Sequence, residues 1–226
     1  MIMKKTLILL AACGMLCCCT ACGSNNNRNI STEVSLPDAL PNPDAARALI
    51  DSGVEVRFAG DYVSTLNGKF VTSKIENETD AFNAIAEVAE LYGIKDAAQE
   101  LKFDETVTGR VSTVYYFQQY YEGLRVAGSR IGLYVDPETL AVKYMNSGYI
   151  PDLSVSTEAS VAADAAAETV KSAYSVTLSG DPELVIFTND KGSSLAWAVA
   201  TASEDPAVVY VDAKTGSELY AEKPIG

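Results

Sequence analysis

The chain has 226 residues, enough for one large domain or two small ones, and its 30 acidic against 17 basic residues give a formal net charge of −13. That balance argues against nucleic acid or an anionic membrane surface as a partner, since both attract clustered cations. Its plain reading is solubility and its sharper one is attraction to a basic or metal-rich partner. The chain contains no histidine, so Ser-His-Asp, Cys-His and HEXXH chemistry cannot be built from it.

The chain opens MIMKKTLILLAACGMLCCCTAC. Two lysines, an apolar run and small residues before cysteine make an export leader, too short for a spanning helix. All five cysteines lie here, Cys13, Cys17, Cys18, Cys19 and Cys22, which leaves the body no disulfide framework and no zinc ribbon. The arrangement resembles a bacterial lipoprotein leader. That resemblance implies a signal peptide over 1–21, acylation (palmitate) at Cys22, and an anchored position at the cell membrane or outer envelope, outside the cytoplasm. Cys13 competes, because Leu10-Ala11-Ala12-Cys13 fits the usual lipobox more closely. It would leave a short apolar core, whereas Cys22 leaves the polar GSNNNRN. An ordinary cleaved secretory peptide and an uncleaved apolar anchor remain as alternatives.

Residues 22–45 are rich in Asn, Ser, Pro and Asp and read as a disordered polar tether. From Val54 the pattern alternates, VEVRFAGDYVSTLNGKFVTSKI, and Asn67-Gly68 predicts a two-residue hairpin turn. ETDAFNAIAEVAELYG then predicts a helix capped by Thr79 or Asp80, with Phe82, Ile85, Ala86, Ala89 and Tyr92 on its buried face and Gly93 at its end. Four strands follow, ELKFDETV, VSTVYYFQQYY, LRVAGSRIGLYVD and LAVKYMN, broken at Thr108-Gly109, Glu122-Gly123 and Asp136-Pro137. After Pro151 a second helix is expected from Ser156 as cap, with Val161, Ala162, Ala165, Val170 and Ala173 forming a narrow face. ELVIFTN, SLAWAVATA, AVVYVD and SELYAE complete the strands.

Each half thus reads as a helix and about four antiparallel strands. Tyr134-Val135-Asp136 with Thr139 recurs as Tyr210-Val211-Asp212 with Thr215, which suggests two related units. The expected class is α+β, two units each with a helix packed on a curved antiparallel sheet.

The phrases Val56-Arg57-Phe58-x-Gly60 and Phe117-x-Gln119-x-Tyr121-x-Gly123-x-x-Val126-x-Gly128 resemble the propeptide (FTP) unit of thermolysin- and fungalysin-like secreted metalloproteases. The last part, with Leu195-Ala196-Trp197-Ala198-Val199 and Tyr210-Val211-Asp212-Ala213-Lys214-Thr215-Gly216, looks like a PepSY domain. The resemblance implies two cystatin-like units, 46–152 FTP-like and 153–226 PepSY-like. In that family a zinc protease domain follows the propeptide. The present sequence holds no HEXXH, so the family's catalytic residues map to nothing here.

No P-loop, EF-hand or Ser-x-x-Lys pattern occurs, and no carboxylate pair stands out. The reading is a non-enzyme with no catalytic residues, no metal ligands and no cofactor. The aromatic hairpin Tyr115–Tyr121 raises a different possibility. By strand alternation Tyr115, Phe117, Gln119 and Tyr121 share one face, and Val114, Tyr116, Gln118 and Tyr120 the other. The first face should cover the helix. The second carries Tyr116 and Tyr120, and tyrosine is enriched at interfaces. It serves either as a partner-binding face or as packing for the other unit. The C-terminal Pro224 and Ile225 are a second candidate contact, because the tail corresponds in position to the segment that leads into the protease in related precursors. The expected role is a tethered propeptide-like protein that binds a separate thermolysin-like metalloprotease and inhibits or chaperones it. The alternative is a non-catalytic envelope scaffold without a protease partner.

Overall fold

A computed structural model describes residues 34–223; the leader, Cys13, Cys22, Pro224 and Ile225 lie outside the described residues. From Leu36 onward the chain forms one compact unit. It is α+β, with three helices of two turns or more and one ten-stranded sheet among the described residues.

The first helix, α1 (Pro43–Asp51), corrects the reading of 22–45 as tether throughout. Asn42 accepts a hydrogen bond from Ala45 N at 3.0 Å and Pro43 occupies the first turn, where its missing N–H costs nothing. Leu40 is buried in the core and Leu36 packs against it. The asparagine and prolines that read as linker composition are helix-start signals here.

Strands β1 (Glu55–Ala59) and β2 (Tyr62–Asn67) form a hairpin. Its turn is Gly60-Asp61, with Gly60 at φ 60°, not the expected Asn67-Gly68. Glycine at the first central position is what a type II′ turn demands. Gly68 instead donates to Lys143 O at 2.8 Å as the chain leaves β2. Helix α2 (Glu78–Val88) runs into a 3₁₀ turn, Ala89–Tyr92, closed by Gly93 at φ 75°. Its cap is Asn77, which accepts from Thr79 N and Asp80 N, two residues before Thr79, the earlier of the predicted caps. Its buried face is Ala81, Ala84, Ile85 and Val88; Ala86 is exposed and Phe82 half-buried. The small alanines set the helix close to the sheet, and Phe82 reaches out to Phe117, 6.1 Å away.

A short helix, α3 (Ala97–Glu100), leads into β3 (Leu101–Thr108), β4 (Thr113–Tyr121), β5 (Leu124–Val135) and β6 (Val142–Ser147). The β4–β5 turn is Glu122-Gly123, both at positive φ (47° and 84°), as the sequence suggests. Helix α4 (Ala163–Tyr174) begins six residues later than a Ser156 cap would place it, with Ala162 as an unassisted N-cap. Residues 156–162 are spent otherwise: Ser160 N and Val161 N reach Ala213 O, and Val161 O accepts from Trp197 Nε1 at 2.8 Å. The helix consequently buries Ala166, Ala167 and Val170, leaving Ala165 and Ala173 exposed. Strands β7 (Glu183–Asn189), β8 (Gly192–Ala200), β9 (Val208–Asp212) and β10 (Glu218–Ala221) finish the chain.

The order across the sheet is β1-β2-β6-β5-β7-β8-β9-β10, with β4 on β5 and β3 outside β4. All pairs are antiparallel except β5–β7, joined in parallel at Arg125↔Val185 and Val126↔Ile186. The two helix-on-sheet halves are therefore strips of one sheet. Both helices lie on the same side: Tyr115 and Phe117 of β4 sit in the α2 core with Ile131, Leu133 and Met145. Tyr121 of the same β4 face joins the Val126–Ile186–Leu195–Ala213 cluster, which shares Trp197 with the α4 core. Each fully buried aliphatic side chain in these clusters contributes on the order of 1.5–3 kcal/mol.

The internal repeat is geometric as well as sequential. Asp136 Oδ1 accepts from Glu138 N (3.1 Å) and Thr139 N (2.9 Å), and Asp212 Oδ1 from Lys214 N and Thr215 N (both 2.8 Å). In each turn the next residue is left-handed: Leu140 at φ 60° and Gly216 at φ 76°.

Candidate functional site

The tyrosine hairpin divides as strand alternation requires, but with an interruption. The β4–β5 register shifts between Gln118 and Tyr120, and Gly128 of β5 takes φ 74°. Such a bulge frees backbone groups from the ladder, and the two glutamines collect them. Gln118 Nε2 points at Val126 O and Ser129 O, each 2.7 Å away, and at Gln119 O at 3.0 Å. Gln119 donates to Ile150 O (2.8 Å) and accepts from Ile150 N (2.9 Å) and Ser129 Oγ (2.5 Å). Gln119 is 2% exposed and Ser129 1%, so this is a closed polar lock. The most specific part of the sequence phrase is thereby accounted for as structure.

Tyr116 and Tyr120 lie on the opposite face, turned away from the α2 and α4 cores, with Gln99 and Glu100 at the end of α3 beside Tyr120. Each already holds a cation. Arg130 stacks on Tyr116 at 4.2 Å from the ring centre and Lys102 on Tyr120 at 3.8 Å. Arg130 in turn pairs with Asp104 (2.9 Å) and Glu105 (2.8 Å). Across the neighbouring strands Tyr134 meets Tyr144 edge-on at 5.2 Å, and a hydrogen bond with Tyr116 raises the Tyr134 pKa. Gly132 sits beneath these rings: a Cβ there would meet Asn146 Oδ1 at 2.7 Å and carbons of both Tyr116 and Tyr134 at 3.2 Å.

The face continues through Arg125, whose pairing with Glu183 across β5–β7 raises its pKa. The contact has two limbs, Nε to Oε1 at 3.0 Å and Nη2 to Oε2 at 2.6 Å. Beyond it Phe187 stacks on Tyr210 at 4.4 Å and on Tyr220 at 5.8 Å. Phe187 is buried and Tyr220 half-exposed. Burial raises the Tyr210 pKa. Sequence reading singled out Tyr116 and Tyr120 but missed Tyr134, Tyr144, Phe187, Tyr210 and Tyr220. Alternation within their strands carries the signal, once the strand order is known.

A cleft of about 730 Å³ opens on the helix side, between Pro41, Tyr62, the end of α2 and Ile94–Ala97. At its margin Asp152 accepts from Tyr62 Oη and from Lys95 Nζ (3.0 Å). These bonds, Tyr62's first, hold the Asp152 carboxyl below its ordinary range. Tyr149 donates to Glu100 alongside, and burial pushes its hydroxyl pKa up. Gly93 is required at this margin, since a Cβ would lie 2.6 Å from the Tyr62 ring. Glu90 is engaged by Asn42 (2.9 Å) and Asp96 caps α3, so the cleft's acids are already partnered. Among the described residues no group of three or more His, Cys, Asp or Glu is placed to hold a metal ion.

No family model matches this chain, and no curated protein matches it. Among solved structures it is similar to the Bacillus megaterium YpeB C-terminal domain, at 15% identity over 81% of this chain and 96% of that chain, with a TM-score of 0.40. At that score the likeness supports no transfer of role.

Proposed function

We propose that the chain is a non-catalytic, propeptide-like binding protein of the cell envelope that engages a separate thermolysin-like metalloprotease and inhibits or chaperones it. The observation that carries this reading is the sheet face turned away from α2 and α4, on which Tyr116 and Tyr120 continue into Tyr134 and Tyr144 on one side and Tyr210 and Tyr220 on the other. A sheet face that meets only water is expected to be polar. This one is aromatic with interleaved cations, the composition found at the centres of protein interfaces. The protease as partner follows from the propeptide-like phrases in the sequence, and the anchored location from the leader.

Titration of the purified protein against secreted metalloproteases of the same organism tests it. Saturable slowing of hydrolysis, or improved refolding of the denatured protease, is expected. The paired change Tyr116→Ala and Tyr120→Ala should weaken that effect while the melting temperature shows the fold retained. Absence of any effect on every cognate protease removes the protease partner. A second reading, an envelope scaffold without a protease, is favoured by one observation: Arg130 and Lys102 already lie over the rings of the two tyrosines.

A further inference from the structure

A different surface, independent of the protease reading, has the features of a strand-accepting groove. Among the described residues strand β3 pairs with β4 alone, and every residue from Lys102 to Thr108 is exposed. Phe103 and Val107 are large apolar side chains at 40% and 46% exposure. Edge strands normally blunt themselves, and β3 does so only at one end, where the register shift between Phe103 and Glu105 makes Asp104 an extra residue. From Glu105 to Thr108 the ladder is regular. Gly109 N donates to Ser112 O at 2.9 Å. In an antiparallel ladder hydrogen-bonded positions alternate, so Glu105 and Val107 turn their backbone groups to β4. Thr106 and Thr108 turn theirs outward, where no described residue meets them.

Beside this open edge runs the first turn of α2. Between helix and strand lies a notch of about 190 Å³ lined by Glu78, Thr79, Phe82, Phe103 and Phe117. Its floor is Phe117, 1% exposed, with Phe103 edge-on at 5.8 Å. A dry cavity of about 150 Å³ accepts benzene, so this notch admits one aromatic or large aliphatic side chain. An edge strand that offers backbone groups, with a helix alongside and an apolar notch between them, is the arrangement by which extended peptides are bound by strand addition.

We infer that the β3 edge and the α2–β3 notch bind an extended, basic segment of a partner protein, which adds as an antiparallel strand beside Thr106 and Thr108 and seats one apolar side chain among Phe82, Phe103 and Phe117. The charge of the occupant follows from the rim. Glu78 lines the notch, and Asp104 and Glu105 share the single guanidinium of Arg130. The same charges disfavour a second copy of this chain, which would bring another −13 and the same acids to the edge.

The probe is a short blocked peptide that alternates lysine with valine around a central phenylalanine, titrated into the full-length protein by calorimetry. Saturable binding is expected, with the Thr106 and Thr108 amides slowed in hydrogen exchange. Methylating alternate backbone nitrogens of the peptide should weaken binding on the order of tenfold, the loss of one or two backbone hydrogen bonds; exchanging its lysines for glutamates should weaken it too. Thr106→Pro places proline where the N–H faces solvent, which an edge strand tolerates, so its melting temperature should hold while binding falls. No binding of the unmodified peptide, equal binding of the methylated one, or undiminished binding to a folded Thr106→Pro protein would each overturn the inference. So would a dimer dispersed by Thr106→Pro, which would assign the edge to a second copy.

Discussion

Replacing Gln119 isolates the polar lock at the β4 bulge. In Gln119→Ala, Ile150 loses the partners of both its N–H and its C=O, while Ser129 Oγ keeps Gly148 O at 2.8 Å. Each buried group left without a partner costs about 1–3 kcal/mol, so two such groups and the lost side-chain packing come to about 3–5 kcal/mol. Against a total stability of about 5–15 kcal/mol for a typical domain, that is a large fraction, on the order of 10 °C in Tm. Gln119→Glu separates hydrogen bonding from packing. Protonated, the new carboxyl repeats the amide's donor and acceptor; ionised, it is a buried charge facing the Ile150 carbonyl. Burial raises its folded pKa above the unfolded value of about 4.3. Its contribution is therefore fully present below that value and lost as pH rises through the folded pKa. Urea unfolding followed by the single tryptophan, Trp197, measures both. Relative to the wild-type protein at the same pH, Gln119→Glu should be near-neutral at about pH 4 and several kcal/mol destabilised at about pH 8, and Gln119→Ala destabilised at both. An alanine variant within about 1 kcal/mol of wild type, or a Gln119→Glu deficit that does not change with pH, would refute the reasoning.

Tyr92 is 1% exposed and its hydroxyl has no hydrogen-bond partner among the described residues. Tyr92→Phe should leave stability unchanged or raise it by about 1 kcal/mol, read from the urea midpoint. Leu140 and Gly216 occupy matching left-handed positions. Gly216→Ala, whose Cβ would have ordinary contact with Val161 at 3.6 Å, should cost about 1 kcal/mol through backbone conformation alone, whereas Leu140→Gly should relieve strain of about 1–2 kcal/mol against the entropy glycine adds to the unfolded chain. Backbone hydrogen bonds from Thr139 and then Glu138 hold the Asp136 carboxyl down at about 2. NMR titration should find it ionised well below the ordinary aspartate range. Its contribution to stability is present above about pH 4 and declines as pH falls toward 2, a decline that Asp136→Asn should abolish.

Strands and their faces were legible in the sequence because alternation reports them directly: Tyr115 and Phe117 are in the core and Tyr116 is outside. The α+β class and the recurring aspartate turn were legible for the same local reason. Boundaries that depend on tertiary partners were not. Ser156 is a good cap by residue type, but the carbonyl of Ala213 draws Ser160 and Val161 into extended backbone first. Asn67-Gly68 is a strong hairpin signal, but the strand pairs were set by Gly60-Asp61, seven residues earlier, in register with β6 beyond. Asn42-Pro43 reads equally as linker or helix start, and burial of Leu40 decides it. For the site, Tyr116 and Tyr120 could be placed on a face, but their cations come from β3 and β5, whose order beside β4 no local pattern records.

Strand β5 belongs to both strips of the sheet. Its start lies against β7 and its far end against β6. Cutting the chain between 152 and 153, where the sequence suggests a border, would strip β7 of β5, one of its two neighbours, and strand Glu183 without Arg125. It would also bare Val185 and Ile186, both 0% exposed in the whole chain, as a new sticky edge. Neither piece is then a portable module. Protein engineers who wish to graft the aromatic face elsewhere, or to fuse a reporter inside the chain, should leave that junction whole and use the exposed turn at Asp190-Lys191, where an insertion interrupts no contact between strips.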